Sequence, residues 1–224
     1  MTEESPQHEM TSGVLEQVSK EGGELFKLFL SPVAKESGEL LGDFVHYFRV
    51  ATALGVLKVL KRAKQILVDH GIEPKGLNLK ILIPILQGAS LEDNPELAEK
   101  WAGLLASAAT GESIHLSYTR ILSELSPNDA QILQLMYEWF LSNDPDLTLN
   151  FRNKFSERGL RENIRISEYD FRKSINTLVG YALCHLEEVG SDMYLWEGEM
   201  QNIYLTYKGF DFVRICQGPQ KGLV

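Results

Sequence analysis

The chain has 224 residues, of which 44% are hydrophobic, and its formal net charge is −9. This apolar fraction is enough to bury a core, which excludes a chain that is disordered throughout and allows one large domain or two small ones. The two cysteines, Cys184 and Cys216, have no CxxC or zinc-type spacing and are too few for a disulfide framework, so a reduced, cytoplasmic protein is predicted. No hydrophobic signal core follows the first methionine, and residues 1–13 are predicted to form a disordered tail.

The charge is segregated along the chain. Residues 1–43 carry three basic against nine acidic residues, residues 44–80 seven against two, and residues 81–146 two against ten. One positive block therefore lies between two negative ones. This pattern predicts a helix that either meets those acids within the fold or offers its charge to an outside partner.

The first half of the chain has the patterns of successive helices. Residues 14–30 have a helical spacing that two glycines loosen, and a longer pattern runs from Ser31 as N-cap to about residue 70, either unbroken or kinked near Gly55. Its apolar part, residues 44–60, is interrupted by charges and is too short for a comfortable membrane span, so a buried helix is predicted there. Residues 77–90 then form a short apolar helix in which Pro84 needs an early position or a kink.

The stretch LEDNPELAEKW combines a helix start with four acids. Asn94 is a good N-cap and Pro95 a good first residue, and the acids fall where negative charge complements the helix dipole. A metal site would need further ligands from a facing helix, and none is written at such a spacing, so capping and solvation are the predicted roles. The acids are Glu92, Asp93, Glu96 and Glu99, and the predicted core stripe that follows them is Leu97, Trp101, Leu104, Leu105 and Ala108.

After a further helix over 113–125, the C-terminal part mixes helices and strands. Ser126 and Pro127 cap one helix, and a capping box of Ser167 and Asp170 opens another, with Gly180 as its expected C′ residue. Two strands and a last helix follow, and the resulting order of three helices, a β-hairpin and a closing helix is typical of a winged helix.

These elements predict a mainly α fold. A helical domain over 14–125 is followed by a small winged-helix-like α+β domain with a β-hairpin over 126–216, and by a flexible C-terminus over 217–224.

A basic amphipathic helix is the strongest binding signal in the helical domain. Lys58, Lys61, Arg62 and Lys64 are its cations, and apolar residues occupy the other side. Such a helix can lie on an anionic membrane surface or receive an acidic partner, but most of these faces are only solvated surfaces over a core. If the helix is unbroken, Arg49 projects into the apolar side, where a buried arginine needs a carboxylate, so a structural pair with an acid from 36–43 or 92–99 is predicted.

The winged-helix-like domain invites a nucleic-acid hypothesis. Its candidate phosphate contacts are Arg152, Lys154, Arg158, Arg172 and Lys173. However, the candidate recognition helix opens with Glu168 and Asp170, and the hairpin region is acidic. Protein docking is therefore favoured over DNA binding.

No enzyme signature is present. The sequence contains no P-loop, GxGxxG after a strand, HExxH, GxSxG or kinase set, and the five histidines are scattered singly. Cys184 and His185 are adjacent, but neighbours on a strand point to opposite faces. We therefore predict no catalytic residue, no metal and no cofactor.

Three segments together resemble a known family. They are LFLSPVAKESGELLGDFVHYFR, GIEPKGLNLKILIPILQGASLEDNPELAEKWAGLLASA and LSPNDAQIL, and the similarity to the Abi-alpha family, the abortive infection alpha proteins of bacteria and archaea, runs from about 26 to 216. This resemblance implies a role in defence against phage, in which an infected cell is disabled or killed before the phage spreads. It supplies no catalytic residues to carry over.

The predicted function is non-enzymatic phage defence through protein–protein contacts, and at most through peripheral contacts with a membrane surface. The partner would be a defence effector or sensor. The alternative is a DNA-binding winged-helix transcriptional regulator, and a nuclease or nucleotide-processing toxin has the least support.

Overall fold

The structure, a computed structural model, describes residues 20–32, 50–143, 154–187 and 202–220. The predicted mainly helical fold with a small antiparallel sheet is confirmed. The described residues fall into two compact units: unit 1 holds those up to Ser123 and those from Ile215 onward, and unit 2 runs from Glu124 to Arg214. The predictions for residues 1–13 and 33–49 lie outside the described residues.

Unit 1 is built from helices. Residues 20–29 are helical, and they bury Leu25, Phe26 and Phe29. The helices that follow are α1 (Val50–Asp69), α2 (Leu79–Ser90), α3 (Pro95–Ala109) and α4 (Ser117–Glu124), whose last residue belongs to unit 2. Helix α1 continues through Gly55, and Pro84 lies inside α2.

Helix α3 is the centre of the unit 1 core. Asn94 caps it, since its side chain accepts from the backbone nitrogens of Glu96 and Leu97 at 2.9 and 3.1 Å. All five residues of the predicted core stripe are buried, with Trp101 fully so. A Cβ on Gly88 of α2 would lie 2.2 Å from the Trp101 ring, so only glycine leaves room for the indole there.

The small-residue side of α3 receives the chain's last described segment. A Cβ on Gly103 would lie 2.1 Å from the carbonyl oxygen of Cys216, and the Ser107 hydroxyl donates to the Ile215 carbonyl at 2.8 Å. The small side chains therefore allow a backbone to approach α3 closely, and the buried Gly218 belongs to this approach.

Unit 2 contains helices and a three-stranded antiparallel sheet. Its elements are α5 (Pro127–Asn143), β1 (Lys154–Phe155), α6 (Glu157–Ile164), α7 (Glu168–Gly180), β2 (Cys184–Leu186), β3 (Ile203–Leu205) and α8 (Tyr207–Cys216), whose last two residues belong to unit 1. The strand order is β1-β3-β2. Phe140 and Tyr137 of α5 pack against Phe210 of α8 at ring distances of 5.2 and 4.9 Å, which forms the aromatic part of the core.

Side chains cap the helices of unit 2 much as predicted. Ser126 and Asp129 bond each other's backbone nitrogens at the start of α5, and the Ser167 hydroxyl accepts from Asp170 N at 3.1 Å. The expected role of Gly180 was wrong, because α7 includes it and the left-handed residue is Ala182 (φ 56°). There the nitrogens of Ala182 and Leu183 donate to the carbonyls of Val179 and Leu178, a Schellman motif with alanine at C′.

Candidate binding surfaces

The outer side of α1 carries four cations, Lys58, Lys61, Arg62 and Lys64, which we call the basic face. All four are exposed. The inner side of the helix is apolar and buried in unit 1, and consists of Val56, Leu57, Val59, Leu60, Ala63, Ile66 and Leu67. The periodicity of the helix therefore turns the positive block of the sequence toward solvent.

Two cations of the basic face form ion pairs across unit 1. Lys61 Nζ lies 2.7 Å from Glu21 of the helical segment 20–29, and Arg62 Nε donates to Glu99 of α3 at 2.8 Å. These side chains are about half exposed, so each pair adds little to stability. Within the four described ranges, neither Lys58 nor Lys64 forms an ion pair.

The four acids at the start of α3 have separate positions. Glu92 accepts from the backbone nitrogen of Asn94 at 2.9 Å, Glu96 lies in the first turn, and Glu99 pairs with Arg62. Asp93 and Glu96 are exposed. In the part of the chain that the structure describes, no group of three or more His, Cys, Asp or Glu residues is placed to hold a metal ion.

Two of the predicted nucleic-acid contacts in unit 2, Arg158 and Arg172, are engaged in ion pairs. Arg172 lies 3.0 Å from Glu168 and 3.8 Å from the buried Glu157, and Arg161 bonds the same two glutamates at 3.2 and 3.3 Å. This network joins α6 to α7. Arg158 pairs with Glu162 at 2.8 Å, and both side chains are mostly exposed.

The other predicted cations differ in position. Lys154 and Lys173 are exposed, on β1 and α7 respectively. Arg152 and Arg49 lie outside the described residues, so their predicted roles stay predictions. Of the four members of this group that the structure describes, Lys154 and Lys173 are those without an ion pair to another described residue.

Sequence reasoning missed a polar stripe on α7. Tyr169, Arg172, Lys173, Asn176 and Thr177 line a cavity of about 450 Å³. Tyr169 is 76% exposed, and among the described residues its side chain and those of Lys173 and Asn176 form no hydrogen bond or ion pair. The signal that could have found this stripe is the i, i+4, i+7 spacing of Tyr169, Lys173 and Asn176, on the side opposite the buried Phe171 and Ile175.

Cys184 and His185 point to opposite faces of β2, as predicted. Cys184 is buried, and burial raises the pKa of its thiol to about 12. His185 is exposed and stacks on Tyr204 of β3 with ring centroids 4.8 Å apart. The same face of the sheet carries Lys154, which is in register with Tyr204. The Cys184 thiol is therefore a packing group and not an activated nucleophile.

Comparisons with known proteins identify the family. No helix in the described ranges is long and apolar enough to cross a membrane. No curated protein and no solved structure matches the chain. The family model described as abortive infection alpha matches residues 56–216, which is more than half of the sequence and includes α2 to α8. The chain therefore belongs to the abortive infection alpha family.

Proposed function

We propose that this protein acts in abortive infection by binding rather than by catalysis, and that the basic face of α1 receives an acidic protein partner. Family membership places the chain among abortive infection proteins. The observation that carries the proposal is the exposure of four cations within seven residues of one helix. Lys58 and Lys64, which form no ion pair within the described chain, are open to carboxylates of a partner, and the positive field of the whole face steers such a partner toward it.

The packing of α1 favours a protein partner over a lipid surface. A helix that lies in the membrane interface buries its apolar side in the lipid. The apolar side of α1 is already buried in the core of unit 1, so insertion would require the core to open. Contact with an anionic membrane would therefore rest on charge alone, at about 1 kcal/mol per lysine or arginine near the surface.

Charge reversal tests the basic face directly. In cells that express the protein, Lys58→Glu with Lys64→Glu should abolish protection against phage, while the matched control Lys27→Glu with Lys80→Glu should retain it, since those two lysines are also exposed in unit 1. The melting temperature of both variants should stay close to that of the wild type, because no buried group changes. Full protection by K58E/K64E would contradict the proposal.

Two further measurements separate the mechanisms. Flotation with anionic liposomes should show no binding that depends on Lys58 and Lys64, and binding lost in K58E/K64E would favour the membrane instead. The pure protein should turn over no nucleic acid or nucleotide. Turnover that is found in both a tagged and an untagged preparation of the wild type would overturn the non-enzymatic proposal.

A second candidate function is nucleic-acid binding by a winged-helix domain in unit 2. The order of helix, strand, two helices, hairpin and helix, with strands arranged β1-β3-β2, supports this fold assignment. The polar stripe of α7 supports the function, since Lys can bind phosphate and Asn can read adenine. Residues 169–177 span about 12 Å along a helix, which is close to the width of the major groove.

Binding to duplex DNA tests this candidate. Retention of the wild type on duplex DNA should fall as salt rises, and Lys154→Glu with Lys173→Glu should weaken it, while K58E/K64E serves as a control with an equal change of charge. Retention that K154E/K173E leaves unchanged would exclude this surface.

A further inference from the structure

Unit 1 has an acidic strip beside its basic face. On α3, Glu96 lies one turn before Glu99, and on α1, Lys58 lies one turn before Arg62. The Arg62–Glu99 ion pair at 2.8 Å joins the two rows. Two rows of opposite charge therefore run side by side, with this ion pair on the seam between them.

The two rows also run in the same direction. A Cβ on Gly218 would lie 3.0 Å from Ile66 of α1 and 3.7 Å from Gly103 of α3, so the positions four residues after Arg62 and Glu99 are again close together. At the other end, a Cβ on Gly55 would lie 3.4 Å from the carbonyl oxygen of Ala89 in α2. The rows thus extend along the helices as parallel strips instead of crossing at a single point.

Parallel strips of opposite charge are complementary to themselves. A twofold axis along the seam places the basic row of one copy on the acidic row of the other, and the acidic row on the basic row, so that each contact occurs twice. An unrelated acidic protein would satisfy only the basic row. From the proposed binding role of the basic face, we infer that its acidic partner is a second copy of this chain, which forms a symmetric dimer through α1 and α3.

Exposed apolar side chains flank the strips. Leu54 of α1 is 46% exposed and Leu91, just after α2, is 78% exposed, and the approach of Gly55 to Ala89 and Ser90 brings this end of α1 to the end of α2. Burial of such side chains adds to the small free energy that each solvated ion pair contributes. The charges then set the register and orientation of the two copies.

Light scattering of the full chain after size exclusion tests the dimer. The mass should be twice that of the monomer at ~0.1 M salt, where the Debye length is about 10 Å, and should fall toward the monomer at ~1 M, where it is about 3 Å. Lys58→Glu with Arg62→Glu makes both rows acidic, and Glu96→Lys with Glu99→Lys makes both rows basic. Each variant alone should be monomeric.

Mixing the two variants gives the decisive result. An all-acidic copy and an all-basic copy attract at both contacts, so the mixture should regain a mass of two chains. A general loss of folding cannot produce this recovery, and K27E/K80E should remain dimeric. A wild type that is monomeric at ~0.1 M salt, variants that dimerise alone, or a mixture that stays monomeric would overturn the dimer.

The dimer and the proposed function can fail separately. A monomeric wild type together with loss of phage protection in K58E/K64E would overturn the dimer and leave the basic face to another acidic protein. A salt-sensitive dimer together with full protection by K58E/K64E would support self-association and contradict the role of the face in defence.

Discussion

Units 1 and 2 use their charged residues in different ways. In unit 1, apolar residues and close backbone approaches occupy the interior, and the cations of α1 lie outside with two half-exposed pairs. In unit 2, Arg161 and Arg172 are drawn in between α6 and α7, where they share the buried Glu157. A cluster of basic residues in a sequence is therefore a binding signal only where the fold leaves its charge uncompensated.

The largest effect should come from the closest backbone approach in unit 1. Gly103→Ala places a Cβ 2.1 Å from the Cys216 carbonyl oxygen. Because a backbone atom cannot move aside as the end of a flexible side chain can, we expect the free energy of unfolding to fall by about 3 kcal/mol. Gly180→Ala on α7 is the matched control, since nothing lies within 4 Å of its added Cβ. Urea denaturation measures both, and an equal effect of the two substitutions would show that packing against α3 is not the cause.

Removal of the shared carboxylate should destabilise unit 2. Glu157→Gln leaves two partly buried guanidinium groups with Glu168 as their main counterion. We therefore expect the free energy of unfolding to fall by about 2 kcal/mol. The control is Glu162→Gln, whose pair with Arg158 is exposed and should contribute close to nothing. If E162Q were as destabilising as E157Q, burial of the ion-pair network would not be the source of its contribution to stability.

Alkaline pH should weaken the core of unit 2 through Cys184. Burial raises the pKa of this thiol from 9.0 to about 12, so the folded chain keeps a proton that the unfolded chain releases. This stability is present below pH 9 and is lost as pH rises toward 12. At pH 10 the loss should be roughly 1–2 kcal/mol.

Cys184→Ala provides the comparison for this pH dependence. The variant lacks the thiol, so its free energy of unfolding should fall less between pH 8 and pH 10 than that of the wild type, by roughly 1–2 kcal/mol. Parallel pH profiles of the two proteins would rule out the thiol as the source.

The smallest effect should be a gain. Ala182 holds a left-handed conformation (φ 56°) at the C′ position of α7, where glycine has no steric penalty. Ala182→Gly should raise the free energy of unfolding by about 1 kcal/mol. Differential scanning calorimetry would detect the higher Tm, and a lower one would mean that the exposed methyl group contributes more than the strain.

Local signals in the sequence identified much of unit 1. The stripe from Leu97 to Ala108 has a helical period and follows an Asn-Pro start, so both the helix and its buried side could be predicted. The return of Ile215 to Ser107 could not, because contacts across more than a hundred residues leave no periodic pattern. The shared use of Glu157 was hidden because Arg172 reaches this carboxylate from a second helix, and the packing of α6 against α7 leaves no local signal.

Unit 2 shows where composition misleads. Strand β1 has only two residues, too few for an alternating pattern, so the basic segment around Lys154 was not assigned a strand. Glycine commonly ends a helix, so Gly180 was expected at C′. Ala182 takes that position instead, because the nitrogens of Ala182 and Leu183 donate to the carbonyls of Val179 and Leu178. On the candidate surfaces, charge could be predicted and pairing could not.

The return of the last described segment to α3 has a consequence for synthesis on the ribosome. The residues that lie against Gly103 and Ser107 emerge only after all of unit 2 has been translated. A product that stops before Ile215 exposes the glycine and alanine side of α3 to water and lacks a cover for it. A prematurely terminated chain is therefore open to cleavage by cellular proteases. Only a chain translated through this segment can complete the fold of unit 1.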